Sequence, residues 1–117
     1  TIPERCVEAW LIEQEIYYLA QKRIYGLGTA WTNYGTVTAD FLVPDGFRGR
    51  PFTVLRVQGT YWHKSPGRAY RDDDQAQRLR AAGYWPVDLW DEDILRAVRG
   101  GSMDRYMRQS VYDPQLM

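Results

Sequence analysis

Residues 52–58, Phe-Thr-Val-Leu-Arg-Val-Gln, form a nearly unbroken apolar run that ends at Gly59. Side chains of a strand alternate between its two faces, so a strand apolar at successive positions has to be covered on both. This segment therefore predicts a central strand with layers of structure above and below it. The chain has 117 residues, 44% of them apolar, enough for one core of that kind and too few for two. A single domain over 1–117 is expected, with its core over about 1–95 and a helical extension over about 96–117.

The flanking segments supply those layers. Thr1-Ile2-Pro3-Glu4 has the form of a capping box with Pro in the first turn, and Cys6, Val7, Trp10 and Leu11 recur at helical spacing, which predicts a helix over about 2–14. Residues 16–25 and 35–43 are rich in β-formers and are bounded by Gly26-Leu27-Gly28 and Pro44-Asp45-Gly46, with a loop over 26–35 between them. After a polar loop at 64–68, a helix is expected over 69–82, with Ala76, Leu79 and Ala82 on one face and Gly83 as a left-handed cap. Residues 84–90 return as a fourth strand that Pro86 assigns to an edge or a bulge. Asp91 is a candidate cap for a helix over 92–99, and a last helix over 102–112 would turn Met103, Tyr106, Met107 and Val111 inward. Helix, three strands, helix, strand, helix describes an α/β sandwich built on a mixed sheet of about four strands.

Charge and cysteine content narrow the function classes. Lys plus Arg equals Asp plus Glu at 15 each, so the chain lacks the overall basicity of a strongly charged nucleic-acid binder. The middle section is the basic one: residues 44–80 hold eight Lys or Arg against four Asp or Glu, while the sections on either side are net negative. The lone Cys6 has no internal disulfide partner and reads as a small buried hydrophobe in a reducing, cytoplasmic setting. No stretch approaches the roughly 18 continuous apolar residues of a membrane span, and no membrane partner is expected.

Four polar positions stand where strand and helix geometry would let them meet: Glu4, Asp40, Gln58 and His63. Asp40 lies between Ala39 and Phe41 in a half-buried strand. A carboxylate there needs an ion pair, hydrogen bonds or a metal, because leaving it bare costs several kcal/mol. A salt bridge to Arg56 in the neighbouring strand is the structural alternative. His63, the only histidine, titrates near neutrality as a general base must, and a merely packed imidazole is the plainer alternative. Glu4 is locally explained by the capping box. The Gln58 amide holds a water without being able to take its proton. Asp72-Asp73-Asp74 is assigned to a solvated helix N-terminus, and the five tryptophans, scattered along the chain, to core filling.

The strings Thr-Ile-Pro-Glu at 1–4, Ala-Asp-Phe at 39–41, Val-Leu-Arg-Val-Gln-Gly-Thr-Tyr-Trp-His at 54–63 and Arg-Asp-Asp-Asp-Gln-Ala-Gln-Arg-Leu-Arg-Ala-Ala-Gly-Tyr-Trp-Pro-Val at 71–87 resemble the very-short-patch-repair endonucleases. These are small members of the PD-(D/E)XK superfamily, with related proteins in phage and mobile-element genomes. The resemblance spans about residues 1–95. It implies a restriction-endonuclease-like core and Mg²⁺- or Mn²⁺-dependent nicking of duplex, branched or mismatched DNA. It also implies site roles: Asp40 and the Val57 carbonyl as metal ligands, His63 as general base, and Glu4 supporting the metal's water shell. Arg48, Arg50, Lys64, Arg68 and Arg71 would then line a phosphate path.

The chain departs from the superfamily pattern where the third strand usually carries an acid, a spacer and lysine. Arg56, Val57 and Gln58 stand there, and a cation at the acidic position would repel Mg²⁺ or neutralise Asp40. No structural zinc is expected, since one Cys and one His do not make a four-ligand site. The direction of the Arg56 side chain separates two outcomes. Turned away from Asp40, it leaves a cleft that accepts a metal. Turned toward it, the fold is that of a catalytically inactive module that binds DNA or an assembly partner.

Overall fold

The computed structural model of the chain describes residues 1–27, 37–60 and 66–112. Five helices and strands in the order α1 (Ile2–Glu13), β1 (Leu19–Ile24), β2 (Val37–Val43), β3 (Thr53–Gln58) and α2 (Pro66–Ala81) are followed by β4 (Trp85–Trp90), α3 (Asp91–Arg99) and α4 (Met103–Tyr112). The strands form one mixed sheet in the order β1-β2-β3-β4. The first three run antiparallel to their neighbours, and β3 pairs parallel with β4 through the α2 crossover. No helix among the described residues is long and apolar enough to cross a membrane.

Local signals explain the helix ends. The Thr1 hydroxyl accepts the Glu4 N–H at 3.2 Å, and Glu4 Oε2 lies 3.7 Å from the Thr1 nitrogen, the reciprocal arrangement of a capping box. Gly83 takes φ +93°, while the Tyr84 and Gly83 N–H groups close back on the Leu79 and Arg80 carbonyls. This is the left-handed cap expected there. The end of α1 uses the same pattern with Glu15 at φ +56° and Ile16 N–H on the Leu11 carbonyl. That turn removes residues 16–18 from the strand expected to begin at 16.

Two cores form on the two faces of the sheet, as the apolar run in β3 requires. On one face Phe41, Val43, Leu55, Val87 and Leu89 pack against Val7, Trp10 and Leu11 of α1, Ile94 of α3, and Met107 and Val111 of α4. Met103 and Tyr106 pack against the same cluster, so α4 turns inward the four residues its periodicity singled out. The Trp10 indole N–H donates to Asp104 at 2.9 Å and ties α1 to α4. On the other face Ile24, Val37, Ala39, Leu42 and Val54 meet Leu79 of α2. Pro86 sits in β4, an edge strand of the sheet, where its missing N–H removes no ladder bond on the open side.

The β2–β3 connection is tight. Gly46 has φ +64°, and a Cβ there would lie 1.8 Å from the Arg50 carbonyl oxygen, so no other residue fits the turn. Phe47 is thereby tucked into the first core against Trp10 and Tyr112.

Two further expectations, both at helix starts, need correction. Helix α2 starts at Pro66 rather than at 69, Pro being favoured in a first turn. Asp72-Asp73-Asp74 consequently lies inside the helix and not at a solvated N-terminus: Asp72 is buried, Asp73 accepts from Gln77, and Asp74 pairs with Arg78 at 2.8 Å. Asp91 does not cap α3 from outside. It occupies the first turn, where its carboxylate takes the N–H of Glu92 at 2.7 Å.

Candidate functional site

The β2–β3 ladder pairs Val43 with Thr53, Leu42 with Val54 and Phe41 with Leu55, and stops there. One step further, Asp40 and Arg56 would stand opposite each other. Instead Asp40 Oδ2 accepts the N–H of Val57 at 2.8 Å, so the carboxylate fills the gap that opens between the two strands. The N–H and C=O of a strand residue point toward the same neighbour, which turns the Val57 carbonyl to that gap as well.

Arg56 goes the other way. Its side chain, 8% exposed, makes a two-pronged pair with Asp88 of β4, Nε to Oδ1 at 2.7 Å and Nη2 to Oδ2 at 3.1 Å. Its Nη1 donates to the Asp72 carbonyl of α2 at 3.0 Å. The register explains this choice: Arg56 and Asp88 are direct partners in the parallel ladder, and Arg56 lies on the α2 face of the sheet with Val54. The alternative of an Asp40–Arg56 salt bridge therefore does not hold. The cation at the unusual position is neutralised by β4 and α2, not by Asp40.

Burial pushes the Asp40 carboxyl above the usual aspartate range, and the nearby Glu4 carboxylate adds to the rise. The Val57 N–H, the Gln21 side chain and, least, the Arg56 charge act in the opposite direction without cancelling it. Glu4 is thus brought into electrostatic reach of Asp40 by the start of α1. Gln58 is not gathered with them, since its amide donates to Asp88 at 3.2 Å. His63 and Lys64 lie outside the described residues, as does the side chain of Arg68. Arg71 is exposed on α2. Arg48 and Arg50 sit at the turn end of the hairpin, stacked over the rings of Tyr112 and Trp85 at 5.5 and 4.8 Å, and Asp40 is separated from that end by about 10 Å of strand.

Asp91, expected only as a helix cap, controls where the chain leaves β3. Asp91 accepts both the backbone N–H of Thr60 at 3.0 Å and its hydroxyl at 2.7 Å. With the Glu92 N–H, these bonds hold the Asp91 carboxyl below the usual range, the Thr60 N–H having the largest effect. A lowered folded-state pKa contributes stability above the unfolded value that is lost as pH falls through the folded one. Asp91→Asn is therefore expected to lower the melting temperature at neutral pH, with the difference from the wild type disappearing below the ordinary aspartate range of about 3.9. Thermal melts over a pH series measure this directly.

Among the described residues no three His, Cys, Asp or Glu side chains converge as a ready metal cage. Comparison with protein-family models, with curated proteins and with solved structures finds no match.

Proposed function

We propose that the chain is a Mg²⁺-dependent endonuclease that nicks DNA, built on a restriction-endonuclease-like core similar to that of the very-short-patch-repair enzymes. The observation that carries this reading is the Asp40 carboxylate in the gap between β2 and β3, with Glu4 nearby and Arg56 drawn off by Asp88. The order of α1, three antiparallel strands, a helical crossover and a parallel fourth strand is in keeping with such a core.

The donor set fits a hard divalent cation. Asp40 is half-buried, raised in pKa by burial and by a second carboxylate, and supplied with one backbone N–H at 2.8 Å. A cation between two such carboxylates relieves both the desolvation and the repulsion. Asp40 and the Val57 carbonyl would hold it directly, and Glu4 would hold water in its shell. The ion would supply charge to a phosphate and acidity to an attacking water. The protein's own part is to fix those oxygens on two strands and to keep Arg56 away from them. His63 is the candidate base. It lies three residues beyond Thr60, whose position Asp91 fixes, and a base removes the water's proton as the phosphodiester bond breaks and the new P–O bond forms. Arg71 on α2 and Arg48 and Arg50 at the hairpin turn would meet phosphates away from the scissile one.

Nicking of supercoiled plasmid and of a branched duplex, in Mg²⁺ and then Mn²⁺, tests the reading. The wild type should nick only with the metal, and His63→Ala should lower the rate by about 10²- to 10⁴-fold. Nicking that is indifferent to Asp40, or absent with both metals, would leave a fold retained for DNA binding or assembly.

A further inference from the structure

We infer that Gln21 is a positioning residue of the Asp40 site: a left-handed turn in β1 directly opposite Asp40 lets the two strands rotate together and sends the carboxylate into the gap toward β3. The inference deepens the metal-site reading above and rests on it.

Three independent features of the sheet meet at this pair. The first is the register. Strands β1 and β2 pair Ala20 with Phe41 and Lys22 with Ala39, and the same offset continues to Leu19 with Leu42 and Ile24 with Val37. Gln21 and Asp40 therefore face each other, yet theirs is the one pair missing from an otherwise continuous ladder.

The second is the facing of the side chains. Residues of one parity in a strand share a face, but Val37 and Ala39 pack in the core on the α2 face while Phe41 and Val43 pack in the core on the α1 face. Strand β1 does the same, since Leu19 and Ile24, of opposite parity, both pack on the α2 side. The facing reverses in both strands at one level without a slip in register, so no residue has been inserted as it would be in a bulge.

The third is the backbone. Gln21 takes φ +51°, a region that a side chain such as Gln adopts rarely and that Gly or Asn adopts with less strain. A strained conformation held in mid-strand needs surrounding structure to maintain it. Here that structure is a carboxylate that the reversal aims at Val57. Residue 21 therefore acts on Asp40 through its backbone turn.

Gln21→Gly and Gln21→Asn keep the turn on residues that tolerate it, whereas Gln21→Val puts a β-branched side chain at a positive φ and opposes the turn. The readout is hydrogen exchange of the Val57 amide, which reports the bond to Asp40 and needs neither metal nor DNA. Exchange at Val57 should quicken about tenfold relative to Leu55 in the Val variant, the scale of one hydrogen bond to a charged group, and should stay within about twofold of the wild type in the Gly and Asn variants. Val57 exchange within about twofold of the wild type in the Val variant, or as fast in the Gly variant as in the Val variant, would overturn the inference. So would loss of the whole folded spectrum in Gln21→Val, because residue 21 would then be holding the sheet and not Asp40.

A Mn²⁺ titration, followed by paramagnetic broadening of the Ala39 and Val57 amides, separates this result from the parent reading. Broadening in the wild type at about tenfold lower Mn²⁺ than in Gln21→Val supports both. A wild type that shows no broadening there overturns the metal site, and the exchange arm then decides alone whether Gln21 orients Asp40.

Discussion

Replacing Asp40 by Asn is expected to lower metal-dependent nicking by about 10³-fold or more while making the metal-free protein more stable at neutral pH. The two effects have one origin. The Asp40 carboxyl is half-buried beside Glu4, and its pKa is raised first by burial and then by that like charge. A group whose folded-state pKa lies above its unfolded value favours the fold while it is neutral. That contribution is complete below the unfolded value of about 3.9 and is lost as pH rises through the folded one. At pH 7 the ionised carboxylate therefore opposes folding. Asn keeps an oxygen to accept the Val57 N–H without the charge. The melting temperatures of wild type and variant should coincide near pH 3 and separate in favour of the variant toward pH 7. Adding Mg²⁺ should raise the wild-type melting temperature, because a ligand bound only by the folded state stabilises it, and should leave the variant unmoved. A variant less stable than the wild type at neutral pH, or one that gains equally from Mg²⁺, would show that Asp40 serves the fold and not a cation.

Most of the architecture was legible because it rests on local rules. The capping box at Thr1, the left-handed glycine at 83, the inward stripe of the last helix and the two-sided apolar run of β3 each depend on residues within a few positions of one another. The site was legible only in part, because its decisive contacts are set by register and by strand rotation. The β2–β3 pairing would have set Asp40 against Arg56, and nothing local to Asp40 signals that the ladder stops at Phe41. Gln21 carries no sequence mark of a left-handed residue, since Gly and Asn are the usual occupants. Asp88, by contrast, does carry a signal in the sequence. It is a charge between Val87 and Leu89 in a strand parallel to β3, and the buried Arg56 required an acidic partner in a neighbouring strand. Asp72 differs from expectation for another reason: α2 begins three residues before position 69, which places Asp72 in a packed middle turn and not a solvated first one.

That partner supplies the second large effect. Asp88→Ala is expected to destabilise the protein by about 2–4 kcal/mol, the range for stranding one member of a buried ion pair, lowered somewhat because the Asp88 side chain is 36% exposed. The cost falls unevenly on the two partners. Removing Asp88 leaves the Arg56 guanidinium, 8% exposed, with the Asp72 carbonyl at 3.0 Å in place of a carboxylate. Removing Arg56 leaves Asp88 able to turn to water. Arg56→Met should therefore cost less than Asp88→Ala, and the double variant should recover much of the loss, since an apolar side chain of similar length fills the space between β3 and α2 without a charge to solvate. Chemical denaturation of the four proteins gives the coupling energy. The same cycle bears on the site. Asp88→Ala frees Arg56 to turn across β3 toward Asp40, which should weaken Mn²⁺ binding at Asp40 well beyond what the loss of stability accounts for, whereas Arg56→Met should leave that binding intact or tighter. Equal Mn²⁺ affinity in all four proteins would mean that the direction of Arg56 has no bearing on the Asp40 gap.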